Sequence, residues 1–298
     1  MLIGGIEKFM RYEGSIYRPP SEANSLILQI TIGCSHNKCS FCSMYKNEKF
    51  RVRELKDIFE DLEESQRYYR RIEKVFLADG DALCLKTENL KKILLKIKET
   101  RPYCRRVGIY ATAKDVLRKT VEELKELREL GLGIIYMGLE SGCAEILEDI
   151  NKGVTIDEYV GACKKTKASG IKSSITVISG LGGKEKWKKH AVETGKTLSL
   201  MDPDYVGLLT LLLDEGTEMT EQVKRGEITL LKPEEIMRET KLMLENMNVS
   251  NCVFRSNHAS NYVALGGTLP QDKEKLIKII ENILKEYFYY KEDIDRLL

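Results

Sequence analysis

The sequence predicts an α/β protein, an open barrel of six β-α units, (β/α)6, with a helical C-terminal extension. Three observations lead there. Six apolar, β-rich runs recur along the chain, and helical patterns separate them. The runs are continuously apolar instead of alternating, which marks strands buried on both faces, as in a parallel sheet wrapped by helices. The residues with chemistry in them fall at the carboxyl ends of these runs, where open and closed β/α barrels of the TIM type carry their sites.

The elements follow in order. "SLILQITIG" (Ser25–Gly33) is the first strand, and a helical pattern covers about 53–70. "KVFLADGD" (Lys74–Asp81) precedes "ENLKKILLKIKE", whose Leu90, Ile93, Leu94 and Ile97 share one helical face. "RVGIYATA" (Arg106–Ala113) precedes "TVEELKELRELG", which ends on a glycine suited to a helix C-terminus. "GIIYMGLESG" (Gly133–Gly142) leads to a helix over about 156–169, and "KSSITVISG" (Lys172–Gly180) to another ending near Leu200. "DYVGLLTLLLDEG" (Asp204–Gly216) is the sixth run. Six units instead of eight imply a barrel that need not close. The expected organisation is an N-terminal segment (1–24), a core (25–218), and an extension (219–298) packed on it, with a helix over about 233–248 and a last amphipathic helix.

Composition narrows the function classes. The chain has 298 residues, 42 % of them hydrophobic, with 48 basic and 46 acidic residues and a net charge of +2. That balance gives no general argument for nucleic acid or membrane binding. The basic runs at 67–71 and 184–189 could touch RNA, although most charge runs of this size are solvated helix faces. "MLIGGIEKFMRYEG" lacks the long apolar region of a secretory signal, and no stretch of about 18 apolar residues occurs, so a cytoplasmic protein is expected.

Eight cysteines in such a chain do not make a disulfide framework. Cys84, Cys104, Cys143, Cys163 and Cys252 are scattered, and each reads as a small buried apolar side chain. Cys34, Cys39 and Cys42 stand together in "GCSHNKCSFCSMY" with His36 among them. Zinc bound by three Cys and one His is one reading, although a second ligand pair is missing and the Cys-x-His spacing crowds a metal. A [2Fe–2S] site with Cys84 as a distant fourth ligand is another, because the spacing C-x4-C-x2-C matches the plant-type ferredoxin pattern. The third is a [4Fe–4S] cluster with three protein thiolates and one open iron. An open coordination position is the mark of a site that binds something else.

The chain resembles the radical S-adenosylmethionine (SAM) superfamily over most of 25–218. The cysteine loop has an aromatic, Phe41, before its third cysteine; "ADGDA" stands in the place of that family's Gly-Gly-Glu motif; and "VISGLGGKE" is similar to its glycine-rich fifth-strand motif. "GLESG" followed by "INKG" resembles the subgroup containing methylthiotransferases and oxygen-independent coproporphyrinogen oxidases. Two departures stand out: the usual loop is C-x3-C-x2-C, and "DGD" replaces Gly-Gly-Glu.

The resemblance implies a [4Fe–4S] cluster on Cys34, Cys39 and Cys42 whose open iron takes the amino and carboxylate groups of SAM. Reductive cleavage of SAM to a 5′-deoxyadenosyl radical, then removal of hydrogen from a substrate, is the implied activity, with an electron donor such as a flavodoxin or ferredoxin. Gly80 and Asp81 are expected at the SAM ammonium and Glu140 at the ribose or amino-acid part. Lys152 is expected at the carboxylate, Thr112 at the ribose, Gly180 and Gly182 where backbone approaches the adenine, and Phe41 beside it. Ser174 and Thr176 point into the barrel on this reading, and His36 is not a ligand. The segment "RSNHASN" offers Arg255, Asn257, His258 and Asn261 as contacts for a polar, anionic small-molecule substrate, since arginine grips a carboxylate or phosphate in two places.

Overall fold

The computed structural model describes residues 10–285, 290–291 and 296. The stretch read against a secretory signal lies mostly outside them, at residues 1–9. In chain order the elements are β1 (Leu26–Gln29), β2 (Thr31–Ile32), β3 (Arg51–Val52), α1 (Leu55–Glu64), β4 (Lys74–Ala78), α2 (Thr87–Thr100), β5 (Arg106–Tyr110), α3 (Ala113–Arg118), α4 (Val121–Glu129) and β6 (Leu132–Glu140). Then come α5 (Ala144–Asp149), α6 (Ile156–Ala168), β7 (Lys172–Ser179), α7 (Gly183–Met201), β8 (Tyr205–Thr210), α8 (Glu218–Lys224), α9 (Pro233–Glu245), β9 (Cys252–Ser256), β10 (Leu265–Leu269) and α10 (Lys273–Lys285). The large sheet has the strand order β1-β4-β5-β6-β7-β8-β9-β10, with β2 and β3 paired separately. This is the mostly parallel α/β architecture the apolar runs predicted. The segment after Glu218 contributes strands as well as helices: β9 pairs in parallel with β8, and β10 closes the edge antiparallel to β9.

Two compact units divide the chain. The first comprises Met1–Asn37, Met44–Met137 and Lys164–Ser173. Its strands are covered on both faces. Leu28, Leu77, Ile109 and Ile135 lie side by side across β1, β4, β5 and β6, and all four are fully buried. Burying such a side chain contributes about 1.5–3 kcal/mol, so this row is a large share of the unit's core. On the opposite face Phe76, Tyr110 and Tyr136 pack edge to face, with ring centroids 4.8, 5.7 and 6.2 Å apart. The turn at Pro20–Glu22 seals that face. The buried carboxylate of Glu22 accepts from Tyr136, Arg106 and Ser25.

The second unit comprises Lys38–Ser43, Gly138–Cys163 and Ser174–Leu298. Among the described residues, one face of its sheet is buried and the other is half-open. Ile175, Val206 and Phe254 align across β7, β8 and β9 and are buried. On the other face Thr176, Gly207, Arg255 and Gly266 stand in register from β7 to β10, and they run from half-buried to exposed. α7 and α9 cross closely at Gly195, where an added Cβ would lie 2.6 Å from the carbonyl oxygen of Met243.

Gly195→Ala therefore forces α7 and α9 apart. The expected cost is about 1–3 kcal/mol, the range for overpacking, against a gain of under about 1 kcal/mol in helix propensity. Urea unfolding at neutral pH measures it; an unchanged or raised midpoint would contradict the close crossing.

Candidate cofactor site

In the first unit the site begins where β2 ends. Gly33 has φ +77°, the left-handed region in which glycine is unstrained, and this turns the chain into the cysteine loop. The Gly33 N–H donates to Oδ2 of Asp79 at 3.2 Å, and Gln29 Nε2 donates to the same oxygen at 2.9 Å. Tyr45 donates its hydroxyl to Oδ1 at 3.3 Å. Burial pushes the Asp79 carboxyl up to about 6, and these three donors pull against that rise. The acidic motif that follows β4 is thus tied to Gly33 and Tyr45, which flank the three cysteines.

Gly80 follows. A Cβ there would lie 3.1 Å from Cys34 Cβ and 3.0 Å from the Tyr45 ring, so only glycine lets "DGD" approach Cys34 this closely. Asp81 is almost fully buried; its Oδ2 accepts from the Ser35 hydroxyl, and its Oδ1 has no hydrogen-bond partner. Burial, then Asp115 beside it, raises the Asp81 carboxyl to about 8. Thr112 does not reach outward. It caps α3, its N–H and hydroxyl donating to Asp115 Oδ2 at 2.9 and 2.6 Å. The expected site residues Asp81 and Thr112 are thereby joined through Asp115, which the sequence reading did not single out. Burial, then the same two carboxylates, pushes the Cys84 thiol up to about 12, the opposite of what a thiolate ligand needs.

The second unit holds the rest of the loop. The Cys42 N–H donates to the Cys39 carbonyl at 3.4 Å, a tight turn around half-buried Phe41. Ser40 donates its N–H to the Ile150 carbonyl and accepts from the Met219 N–H, each at 3.0 Å. Asn151 Nδ2 donates to the Lys38 carbonyl at 3.2 Å, and Ser43 Oγ donates to Asp214 Oδ2 at 2.6 Å. The segments that follow β6 and β8 therefore pin this part of the loop. All eight cysteines are free thiols, with Cys34, Cys39 and Cys42 partly accessible and Cys143, Cys163 and Cys252 buried.

At the end of β6, Glu140 and Lys152 meet as an ion pair at 2.8 Å. Burial opposes the charge on Lys152, but Glu140, Tyr159 and Cys39 outweigh it and hold the ammonium charged. Gly142 has no room for a side chain, since its Cβ would lie 2.5 Å from Thr194 Cα. Its N–H donates to Thr194 and its carbonyl accepts from Thr197. Next to it Ser141 bonds His190 Nδ1 at 2.8 Å. His190 Nε2 faces the Ile178 carbonyl at 3.1 Å, so the proton sits on Nε2 and Nδ1 accepts from Ser141. Burial lowers His190 to about 4, and it is neutral at physiological pH. One lone histidine on a helix face gave the sequence no way to signal this role.

Of the two glycines expected at the adenine, Gly180 gives its N–H to buried Glu239 Oε2 at 2.8 Å, and Gly182 packs where a Cβ would be 3.0 Å from Ile146. Ser174 and Thr176 lie on the half-open face with Arg255. The guanidinium of Arg255 lies over Gly266, with Nη1 donating to the Phe254 and Gly267 carbonyls at 2.9 and 3.3 Å. Asn257 is exposed. His258 Nδ1 accepts from the Ser260 N–H at 3.2 Å. Asn261 is buried and braces β8, donating to the Leu208 carbonyl and accepting from Thr210, both at 2.9 Å. Arg296 ties this segment from the other side, its Nε donating to the Ser260 carbonyl at 2.7 Å.

The sequence profile of the Radical SAM superfamily matches residues 28–193, more than half of the chain. The chain belongs to the radical SAM superfamily. An uncharacterized protein of Methanocaldococcus jannaschii is 29 % identical over 221 residues, which cover 68 % of this chain and 66 % of that protein. A tRNA uridine(34) acetyltransferase of the same organism is 32 % identical over 116 residues, 38 % of this chain and 21 % of that protein. The chain thus spans just under two thirds of the first relative's length and about a fifth of the second's. Coproporphyrinogen III oxidase of Escherichia coli has a similar fold, with a TM-score of 0.54 at 18 % identity over 74 % of this chain and 52 % of that one.

A radical SAM enzyme uses a [4Fe–4S] cluster and SAM, and the residues present fit both. Three accessible thiols stand within nine residues, and the buried, unpartnered Asp81 Oδ1 beside Gly80 is an acceptor waiting for a donor. The two basic runs are ion-paired surface: Arg67 with Glu64, Arg71 with Glu73, Lys186 and Lys189 with Glu145. Among the described residues no helix is long and apolar enough to cross a membrane.

His190 makes stability depend on pH. Its folded value lies below the ordinary 6.5, so the unfolded chain binds the extra proton between about 4 and 6.5. Its contribution, on the order of 3 kcal/mol, is present in full above that window and is lost as the pH falls through it. His190→Leu should remove this part of the acid sensitivity. Denaturant midpoints of both proteins at pH 5 and 7.5 test it, and equal acid losses in the two would contradict the assignment.

Proposed function

We propose that this radical SAM enzyme cleaves SAM reductively and abstracts hydrogen from a polar, anionic small molecule. Cys34, Cys39 and Cys42 hold the cluster through thiolates; when bound, the cluster supplies one electron and SAM the 5′-deoxyadenosyl radical. The chain's own residues bind and orient. Gly80 and Asp81 receive the amino group of SAM. The Glu140–Lys152 pair presents a fixed carboxylate and ammonium to its ribose and carboxylate. Phe41 shields the loop from water. A flavodoxin or ferredoxin is the expected reductant.

The observation that carries the substrate class is the half-open face of the second unit's sheet. There Thr176, Gly207 and Arg255 stand in register on three adjacent strands, and an added Cβ at Gly207 would meet nothing within 4 Å. A threonine and an arginine on the strands either side of that open glycine suit a carboxylate or phosphate, which the arginine reaches by turning from Gly266 toward Gly207. A second reading, action on RNA, is favoured by the tRNA uridine(34) acetyltransferase relative.

Anaerobically reconstituted, dithionite-reduced protein should carry four irons and form 5′-deoxyadenosine from SAM; a reduced, four-iron sample that forms none would sink the proposal. Cys34→Ala, Cys39→Ala or Cys42→Ala should each abolish cluster assembly, and Cys84→Ala should not. If Cys84→Ala loses the iron, the [2Fe–2S] reading gains.

Substrate recognition is tested by screening small carboxylates, phosphates and bulk tRNA for stimulation of 5′-deoxyadenosine formation. Arg255→Lys keeps the charge but not the planar fork, so it should cut stimulation by an anion about tenfold or more while iron content and SAM binding hold. Stimulation by tRNA alone would move the assignment to the second reading.

A further inference from the structure

The segment just past the third cysteine carries a pattern that neither cofactor uses. "MYKNEKFRV" (44–52) holds three basic residues and one acidic one. Its exposed side chains are of two kinds. Lys46, Lys49 and Arg51 are cationic, while Met44 and Val52, 37 and 44 % exposed, are large and apolar. The one acid is turned away: Glu48 is half-buried, with its carboxylate against Gly14. Arg51 is paired with Glu13, an exposed bridge worth little and easily exchanged for another carboxylate.

Both ends of this segment are fastened beside Cys34. Tyr45 is buried, and its carbonyl accepts from the Glu48 N–H at 3.0 Å and from Asn37 Nδ2 at 2.6 Å, which ties down the turn. Its ring stands edge-on to Tyr17, with centroids 5.6 Å apart. A Cβ at Gly80 would lie 3.0 Å from that ring and 3.1 Å from Cys34 Cβ, so Tyr45 and Cys34 are neighbours across Gly80. At the other end Arg51 pairs with Ile32 in the β2–β3 ribbon, two residues before Cys34. The exposed turn is thus separated from a cluster thiol by little more than one buried ring.

A fixed cationic surface with exposed apolar side chains, this close to a redox ligand, suits a particular partner. Electron carriers meet their partners through small, short-lived contacts, in which opposite charge speeds the encounter. Single-stranded nucleic acid calls for aromatic faces among the cations, and the exposed apolar side chains here are Met44 and Val52. We propose that residues 44–52 are the docking surface for a small acidic one-electron carrier protein, held by Lys46 and Lys49 around Met44. This rests on the radical SAM reading and adds to it the place where the reductant lands. A flavodoxin hydroquinone seated there gives up one electron to the oxidised cluster and becomes the semiquinone, with no proton transferred.

The test uses reconstituted, cluster-loaded protein and a flavodoxin hydroquinone as the probe. Cluster reduction is followed by stopped-flow absorbance, and affinity for the flavodoxin by calorimetry. Lys46→Glu with Lys49→Glu reverses two exposed charges of the turn; Lys92→Glu with Lys125→Glu, on exposed faces of α2 and α4, makes the same change in net charge elsewhere. At about 20 mM salt the first pair should slow reduction by flavodoxin and weaken its binding roughly tenfold, and the difference from wild type should shrink at about 300 mM. The second pair should behave as wild type. Iron content, and the 5′-deoxyadenosine formed after complete reduction by dithionite, should be unchanged in both. Equal rates in all three proteins, or equal slowing by the two pairs, would overturn the inference. So would a shift from dimer to monomer in the first pair with reduction unaltered, which would give the surface to a second copy of the chain. Wild-type protein with four irons that forms no 5′-deoxyadenosine even with dithionite would instead bring down the underlying enzymatic reading.

Discussion

The carboxylate of Asp79, at the carboxyl end of β4, accepts hydrogen bonds from the Gln29 side chain, the Gly33 backbone and the Tyr45 hydroxyl. Those donors come from β1, from the residue that opens the cysteine loop, and from the residue just past its end. A loop of consecutive thiols has no secondary structure to hold it, and its backbone groups must find partners elsewhere. Asp79 supplies one, to the Gly33 N–H, from a buried position where an ionised carboxyl is costly unless bonded. Burial and the three donors oppose one another, and the carboxyl ends near 6. The close approach of Gly80 to Cys34 and the inward turn of Asp81 follow from that anchor, because both are the next residues along the chain.

The second unit solves the same problem with backbone. Ser40 is held through its N–H and carbonyl by Ile150 and Met219, residues that follow β6 and β8. The turns at the ends of β6 and β7 are fixed from behind by helix side chains: His190 and Thr194 of α7 hold Ser141 and Gly142, and Glu239 of α9 holds Gly180. Burial raises Glu239 to about 8 and lowers His190 to about 4, so both are neutral near pH 7. Neutral, hydrogen-bonded groups anchor a buried turn without the desolvation cost of charge. The helix-covered face of this sheet is therefore committed to holding loops.

The two units differ in how their sheet faces are filled. In the first unit both sheet faces are filled, one by the Leu28–Leu77–Ile109–Ile135 row and the other by three aromatic rings and the Glu22 turn. In the second, the Thr176–Gly207–Arg255 row is half-open. Glycines at 207 and 266 keep that row low, and Arg255 spreads over Gly266 as a result. Asn261 and His258, which belong to the same polar segment as Arg255, spend hydrogen bonds on β8 and on the segment's own backbone.

The sequence by itself determined the parallel α/β fold, because strands buried on both faces must be continuously apolar, and it singled out three thiols in nine residues as the candidate cluster ligands. It also located "DGD", "ESG" and "GLGG" at strand ends, since β/α periodicity alone marks where strands stop. It did not show β9 and β10, whose short, glycine- and asparagine-rich surroundings carry no clear period. Nor did it reveal Asp115, His190 or Glu239. Each looks like a helix-surface residue in the linear pattern, and only packing against a strand end far along the chain gives it its buried partner. Local spacing encodes which residues share a face; the partner across that face is decided by the tertiary fold, because hydrogen bonds and burial depend on distance in space and not on distance along the chain.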